Sequence, residues 1–125
     1  MPGANLYSTI ENLFIWNEAI FNGKVLSASN FKTAMTPVKW GDGKELTEGG
    51  FKYGCGWGMM TYKGVELIAH SGGFNGWDNW LVRYPEYNLT IVVLTNSNLF
   101  PELLASRKAA HKIAEVYLEK YMQKN

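Results

Sequence analysis

Cysteine is nearly missing from this chain. Cys55 stands alone among 125 residues, which excludes an internal disulfide and any metal site built from several thiolates. Histidine is almost as scarce, with His70 and His111 far apart in sequence, so no metal constellation is expected and no cofactor is implied. An excess of charge is absent too. Twelve Lys and Arg face eleven Asp and Glu for a net charge of +1, without a run of either sign, and nothing here would steer a polyanion such as a nucleic acid. No apolar stretch approaches the ~20 residues of a membrane helix. The first residues also lack the basic-then-apolar order of a secretory signal, so no membrane span is expected.

What remains is a composition suited to a packed core. Apolar residues make up 46% and aromatics 14%, enough burial to offset the entropy of ordering the chain. The length suits one domain, residues 1–125. It divides into a helical and loop segment over 1–52, an antiparallel sheet over 53–98 and a C-terminal helix over 101–123.

Ser8 and Glu11 have capping-box spacing, and Leu6, Ile10, Leu13, Phe14, Ile20 and Phe21 then recur near helical spacing, which predicts a helix over residues 9–22. "VLSASNFKTAMTP" supplies a serine cap and a short helix that ends before Pro37, because a residue preceding proline avoids helical angles. "VKWGDGKELTEGG" reads as loop. From Tyr53 the pattern becomes β, in four strands: "YGCGWGMMTY", "VELIAHS", "NWLVRY" and "LTIVVLTN". Their short connections leave no room for a crossover helix, so the strands form an antiparallel meander. The last carries apolar residues on both alternating faces and is expected in the centre of the sheet. Pro101 then opens a long helix with Leu103, Ala110, Ile113, Ala114, Tyr117 and Tyr121 on the face toward the sheet. The fold class is α+β.

Chemistry concentrates in "AHSGGFNGW", residues 69–77. An unperturbed histidine side chain has a pKa near neutrality, and the Ser71 that follows His70 carries a hydroxyl. Neighbours on a strand point to opposite faces, however, so this pair does not make a histidine-activated serine. Gly72 and Gly73 expose main chain that a ligand can approach, the outline of an oxyanion site. The same residues also read as a glycine-rich turn beside a structural histidine, and on residue chemistry alone both readings stand.

The ordered segments "GANLYSTIENLFIWNEAIFNGKVLS", "YGCGWGM", "AHSGGFNGW" and "YPEYNLTIVVLTNSN" resemble the carboxyl-terminal part of serine β-lactamases and penicillin-binding-protein-like hydrolases, in the class C and DD-peptidase branch. The resemblance implies a partial β-lactamase-like fold and an acyl-enzyme hydrolysis of amides or esters. Sites of that family combine an S-x-x-K helix, a Y-x-N or S-x-N loop, and a K-T-G strand that H-S-G can replace. His70, Ser71 and Gly72 match the third element. By this resemblance His70 assists at a substrate carboxylate or in the proton network, and Ser71 hydrogen-bonds the carboxylate. The Gly73 amide forms half of an oxyanion hole, and Trp77 shapes the substrate pocket, with Ser71, Gly72, Gly73 and Trp77 as the substrate-binding set.

The other two elements are not matched. No Y-x-N or S-x-N occurs in the 125 residues. The one S-x-x-K, Ser29 to Lys32, falls after the first helix, whereas the family's nucleophile comes much earlier, so Ser27 or Ser29 reads as a helix cap. The chain is therefore expected to be a carboxyl-terminal portion, inactive by itself, whose partner is the amino-terminal part of the parent domain. The alternative is a binding or scaffold module that keeps the sheet and cleft edge without chemistry. Family substrates include β-lactams, peptides and esters, and family members commonly work outside the cytoplasm. In the family the last strand pairs with one from the amino-terminal part. Without that neighbour its edge implies a weak homodimer, visible as a concentration-dependent size. Trp40, Trp57, Trp77 and Trp80 serve core or cleft wall, Asn88-Leu89-Thr90 has the glycosylation spacing without supporting context, and His111 reads as a solvated helix residue.

Overall fold

The computed structural model describes residues 6–48, 50–74, 76–96 and 105–122. Thr9 starts the first helix, α1 (Ile10–Phe21), because its extended backbone lets its hydroxyl accept the Asn12 N–H at 3.2 Å. Ser8 stands one residue too early to cap, which corrects the capping-box expectation. Ser27 caps α2 (Ala28–Ala34) by accepting the Asn30 N–H at 3.3 Å. The presumed loop that follows is partly β. Lys39 bridges Glu45, and β1 (Thr47–Glu48) pairs with β2 (Phe51–Tyr53). Gly43 and Gly50 supply the positive φ angles of those two turns.

The sheet therefore begins before residue 53 and has six antiparallel strands in the order β1-β2-β3-β4-β5-β6. The remaining strands are β3 (Gly58–Tyr62), β4 (Val65–Phe74), β5 (Trp77–Tyr84) and β6 (Leu89–Thr95). The single strand expected over 53–62 is two strands separated by a turn at Gly54–Trp57, where the Gly54 N–H donates to the Trp57 carbonyl at 2.8 Å. A 3-10 turn, Pro85–Tyr87, joins β5 to β6.

Helices cover both faces. On one, Leu67, Ala69, Trp80, Val82, Tyr84 and Ile91 pack with Ala110 and Ala114 of α3 (Ala105–Met122). On the other, Leu81, Ile68 and Val92 pack with Ile20 and Phe21 of α1, with Trp57, with Phe31 of α2 and with Met35 at its C-terminal end. This double cover explains why "LTIVVLT" is apolar on both faces although β6 is the outermost strand of the described sheet, not a central one. Face burial and lateral position are independent, and the periodicity reports only the first. Beside that outer edge, Ile10 and Phe14 of α1 are about half exposed and Leu6 more so.

The face of α3 also differs from the expected one. Ala110 and Ala114 are buried with Ser106 and His111, whereas Ile113 and Tyr117 are exposed; Pro101, Leu103 and the side chain of Tyr121 lie outside the described residues. Asp78 of β5 holds the start of this helix, its carboxylate accepting the Ser106 N–H at 2.8 Å and hydroxyl at 2.9 Å. No helix among the described residues is long and apolar enough to cross a membrane.

His111 is buried, not solvated. Its ring stacks on Tyr62 at 3.9 Å. Arg107 Nε–H donates to its Nε2 at 3.4 Å, so the neutral ring carries its proton on Nδ1 and donates to the Tyr84 hydroxyl at 3.2 Å. Desolvation first, and then Arg107, lowers its pKa below the ordinary 6.5. The unfolded chain therefore takes up this proton at a higher pH than the folded one. Stability present above about pH 6.5 is lost as pH falls toward the depressed folded value. Melting curves between pH 7 and pH 5 should show a steeper loss for the native protein than for His111→Asn; equal slopes would remove His111 from the acid response.

Candidate active-site edge

The strand β4 is paired on both sides only in its first part. Its ladder with β3 ends at Gly58 opposite Ala69, while its ladder with β5 runs on from Ile68–Arg83 to Phe74–Trp77. From His70 to Phe74 no described strand pairs with the flank away from β5. Alternate residues of a strand aim their N–H and C=O groups to that side, where a ligand can reach them.

Ser71 shares a face with Ala69 and lies opposite Trp80, toward α3, whereas His70 shares a face with Ile68 and lies opposite Leu81, toward α1. The two side chains do not form a base and nucleophile pair. His70 instead has two other partners. Its Nδ1 lies 2.5 Å from the Ser71 carbonyl oxygen, and its Nε2 lies 2.8 Å from the Tyr53 hydroxyl.

Gly72 and Gly73 are not required by the chain's own packing. A Cβ added at Gly72 would come no closer than 3.8 Å to Asn79, and one at Gly73 no closer than 3.6 Å to the Trp77 carbonyl. At the end of the hairpin Phe74 and Trp77 face each other across the pair, both more than half exposed, beside Gly76 with φ of 86°.

His70, Ser71, Gly72, Gly73 and Trp77 all border one groove of about 530 Å3, which Trp16, Trp57 and Leu94 help to wall. Trp16 and Trp57 stack at 5.5 Å. No Asp, Glu, Lys or Arg is among the described residues that line it. A wider depression of about 740 Å3 beside Met35, Pro37 and Met59 has no serine or histidine in its described lining, so size does not select the chemical site. Trp40 lies away from the groove, and Trp80 is buried against Phe51 at 5.7 Å with the Arg107 guanidinium over its ring. Ser29 is absent from the described groove lining; its hydroxyl lies 3.1 Å from that of Ser27. Asn88 accepts a hydrogen bond from Arg83.

Tyr53 and Trp16 were not singled out from the sequence. Tyr53 opened an expected strand, but its meeting with His70 depends on the register of three strands. Trp16 lay within a helix whose contacts could not be read from spacing.

Three comparisons bear on this arrangement. The family model described as Beta-lactamase matches residues 1–115. Penicillin-binding protein 4* of Bacillus subtilis (strain 168) is 28% identical over 91 residues, covering 71% of this chain and 19% of that protein. The fold is similar to that of the octameric penicillin-binding protein homologue from Pyrococcus abyssi, with a TM-score of 0.71 at 21% identity over 90% of this chain and 24% of the other. The chain thus spans about a fifth of its curated relative and a quarter of its structural one. With the family match running from the first residue into α3, this chain belongs to the Beta-lactamase family.

Proposed function

We propose that this chain supplies one wall of an acyl-transfer site in a β-lactamase-like serine hydrolase and is inactive by itself. The observation that carries the reading is the flank of β4 with which no described strand pairs, where His70, Ser71, Gly72 and Gly73 border a single groove. In this reading the Gly73 amide stabilises the developing oxyanion, a contribution of about 3 kcal/mol for one such donor. Ser71 hydrogen-bonds a substrate carboxylate, Trp77 bounds the acyl pocket, and His70 shapes the groove electrostatically. The nucleophile and its base come from another part of the parent domain. The half-exposed Ile10 and Phe14 beside the outer edge of β6 support a neighbouring layer of that kind.

A fluorescent penicillin tests the division of labour in a penicillin-recognising parent. The intact product of the gene should be labelled, its coding sequence should contain S-x-x-K followed by Y-x-N, and this chain should stay blank. Stoichiometric labelling of the present chain would restore Ser29 as a nucleophile. An unlabelled intact product without those motifs would favour a binding module.

A further inference from the structure

We propose that Tyr53 is a positioning residue that orients the His70 ring by bonding Nε2 while the Ser71 carbonyl fixes its Nδ1–H tautomer, so that the neutral ring reaches the groove with both nitrogens already engaged. The Ser71 carbonyl can only accept a hydrogen bond, so the 2.5 Å contact requires the proton on Nδ1. Nε2 then keeps its lone pair and accepts the Tyr53 O–H at 2.8 Å. A neutral His70 has neither a spare lone pair nor a spare N–H for a ligand.

The register makes this contact possible. Tyr53 pairs with Gly58, and Gly58 pairs with Ala69 as the last rung between β3 and β4. His70 lies just beyond the point where β3 has ended, and Tyr53 reaches it from β2. The backbone of Tyr53 is anchored on the far side, its N–H donating to the Leu46 carbonyl at 3.0 Å and its carbonyl accepting the Val38 N–H at 2.8 Å. His70 borders the groove and Tyr53 does not, so Tyr53 acts through the imidazole.

The consequence rests on the functional reading above. If Nε2 gains a proton, the Tyr53 bond reverses: Nε2–H donates to the phenol oxygen, and the hydroxyl proton, still covalently held by Tyr53, becomes free to donate elsewhere. No covalent bond of the pair changes apart from the new N–H. The histidine of this third motif is thus a positioned neutral ring with a reversible partner, unlike a lysine, whose ammonium presents three donors and no acceptor.

Long-range proton–nitrogen NMR spectra of the 15N-labelled chain read the tautomer directly, at a pH where His70 is neutral by its own titration. The expected spectrum shows a protonated Nδ1 and an unprotonated, hydrogen-bonded Nε2. In Tyr53→Phe the Ser71 carbonyl still holds the proton on Nδ1, so Nε2 should stay unprotonated but lose its hydrogen bond and move toward the position of a free lone-pair nitrogen, with the backbone amide spectrum otherwise preserved. An Nε2–H tautomer in the native protein overturns the proposal, as does an unchanged His70 spectrum in a folded variant. The native spectrum decides the tautomer even if the variant does not fold. An unlabelled parent beside an Nδ1–H tautomer would count against the functional reading alone, and a labelled parent beside an Nε2–H tautomer against Tyr53 alone.

Discussion

Replacing Arg83 by alanine should destabilise the protein by about 3 kcal/mol, the low end of the range for removing one partner of a buried ion pair. Only 3% of Arg83 is exposed. One guanidinium nitrogen donates to Glu18 and to the Thr90 hydroxyl, the latter at 2.6 Å, and the other donates to Asn88. The Phe21 ring lies 5.3 Å from the guanidinium carbon. Thr90 in turn donates to the Asn17 side-chain oxygen at 2.9 Å, and Asn17 is fully buried. One side chain of β5 therefore ties α1 to β6. Alanine would leave the Glu18 carboxylate without its cationic partner, with the Asn22 amide still donating to it at 3.2 Å, would leave the Asn88 side-chain oxygen without the Arg83 donor, and would open space beneath Phe21. The low end applies because the Glu18 side chain is 27% exposed, so water recovers part of the loss.

Thermal melting reads this as a fall in Tm on the order of 10 °C. The double substitution Glu18→Met with Arg83→Met should recover much of the stability, because it removes both charges and refills the space. A change below about 1 kcal/mol in Arg83→Ala would show that the network contributes little beyond what water supplies.

Gly54→Ala should cost as much without altering any charge. A Cβ at this position would lie 2.4 Å from the Ala34 carbonyl oxygen, 3.3 Å from that of Thr36 and 3.2 Å from the Met59 methyl. The methionine can turn aside, but the two carbonyls belong to the end of α2 and its exit and cannot. Either the turn between β2 and β3 or the end of α2 must shift, which places the loss near the upper end of the overpacking range, about 3 kcal/mol. Gly72→Ala is the control. Its nearest atom would be 3.8 Å away, so its Tm should stay close to native. If the two variants melt alike, close packing is not what requires glycine at residue 54. Because Gly54 follows Tyr53, its variant should also disturb the His70 spectrum.

The helices show what local pattern could convey. Ser27 met the cap expectation, and α1 and α2 lie within one or two residues of their expected bounds, because capping and helix termination depend on neighbours in sequence. Strands three to six were legible for a similar reason: alternation and short turns imply an antiparallel meander. The two short strands before them were not, since β1 has two residues and β2 three, too few for alternation to register.

Burial was less legible. His111 looked like one polar residue among lysines on a helix, yet it packs beneath Tyr62 because α3 lies across β5 and β6 at that point. Ile113 and Tyr117 fitted the apolar stripe and are exposed. A helix pattern defines an apolar arc, and the neighbouring element selects which part of that arc it covers.

Composition and periodicity alone established an α+β chain with an antiparallel sheet, a C-terminal helix and a histidine, serine and glycine motif on a strand. Tertiary structure decided that β6 is outermost among the described strands, that β4 loses one neighbour at His70, and that Tyr53 meets the imidazole. Local preferences act over a few bonds and are written in adjacent residues, whereas lateral pairing and side-chain contact depend on register between segments distant in sequence.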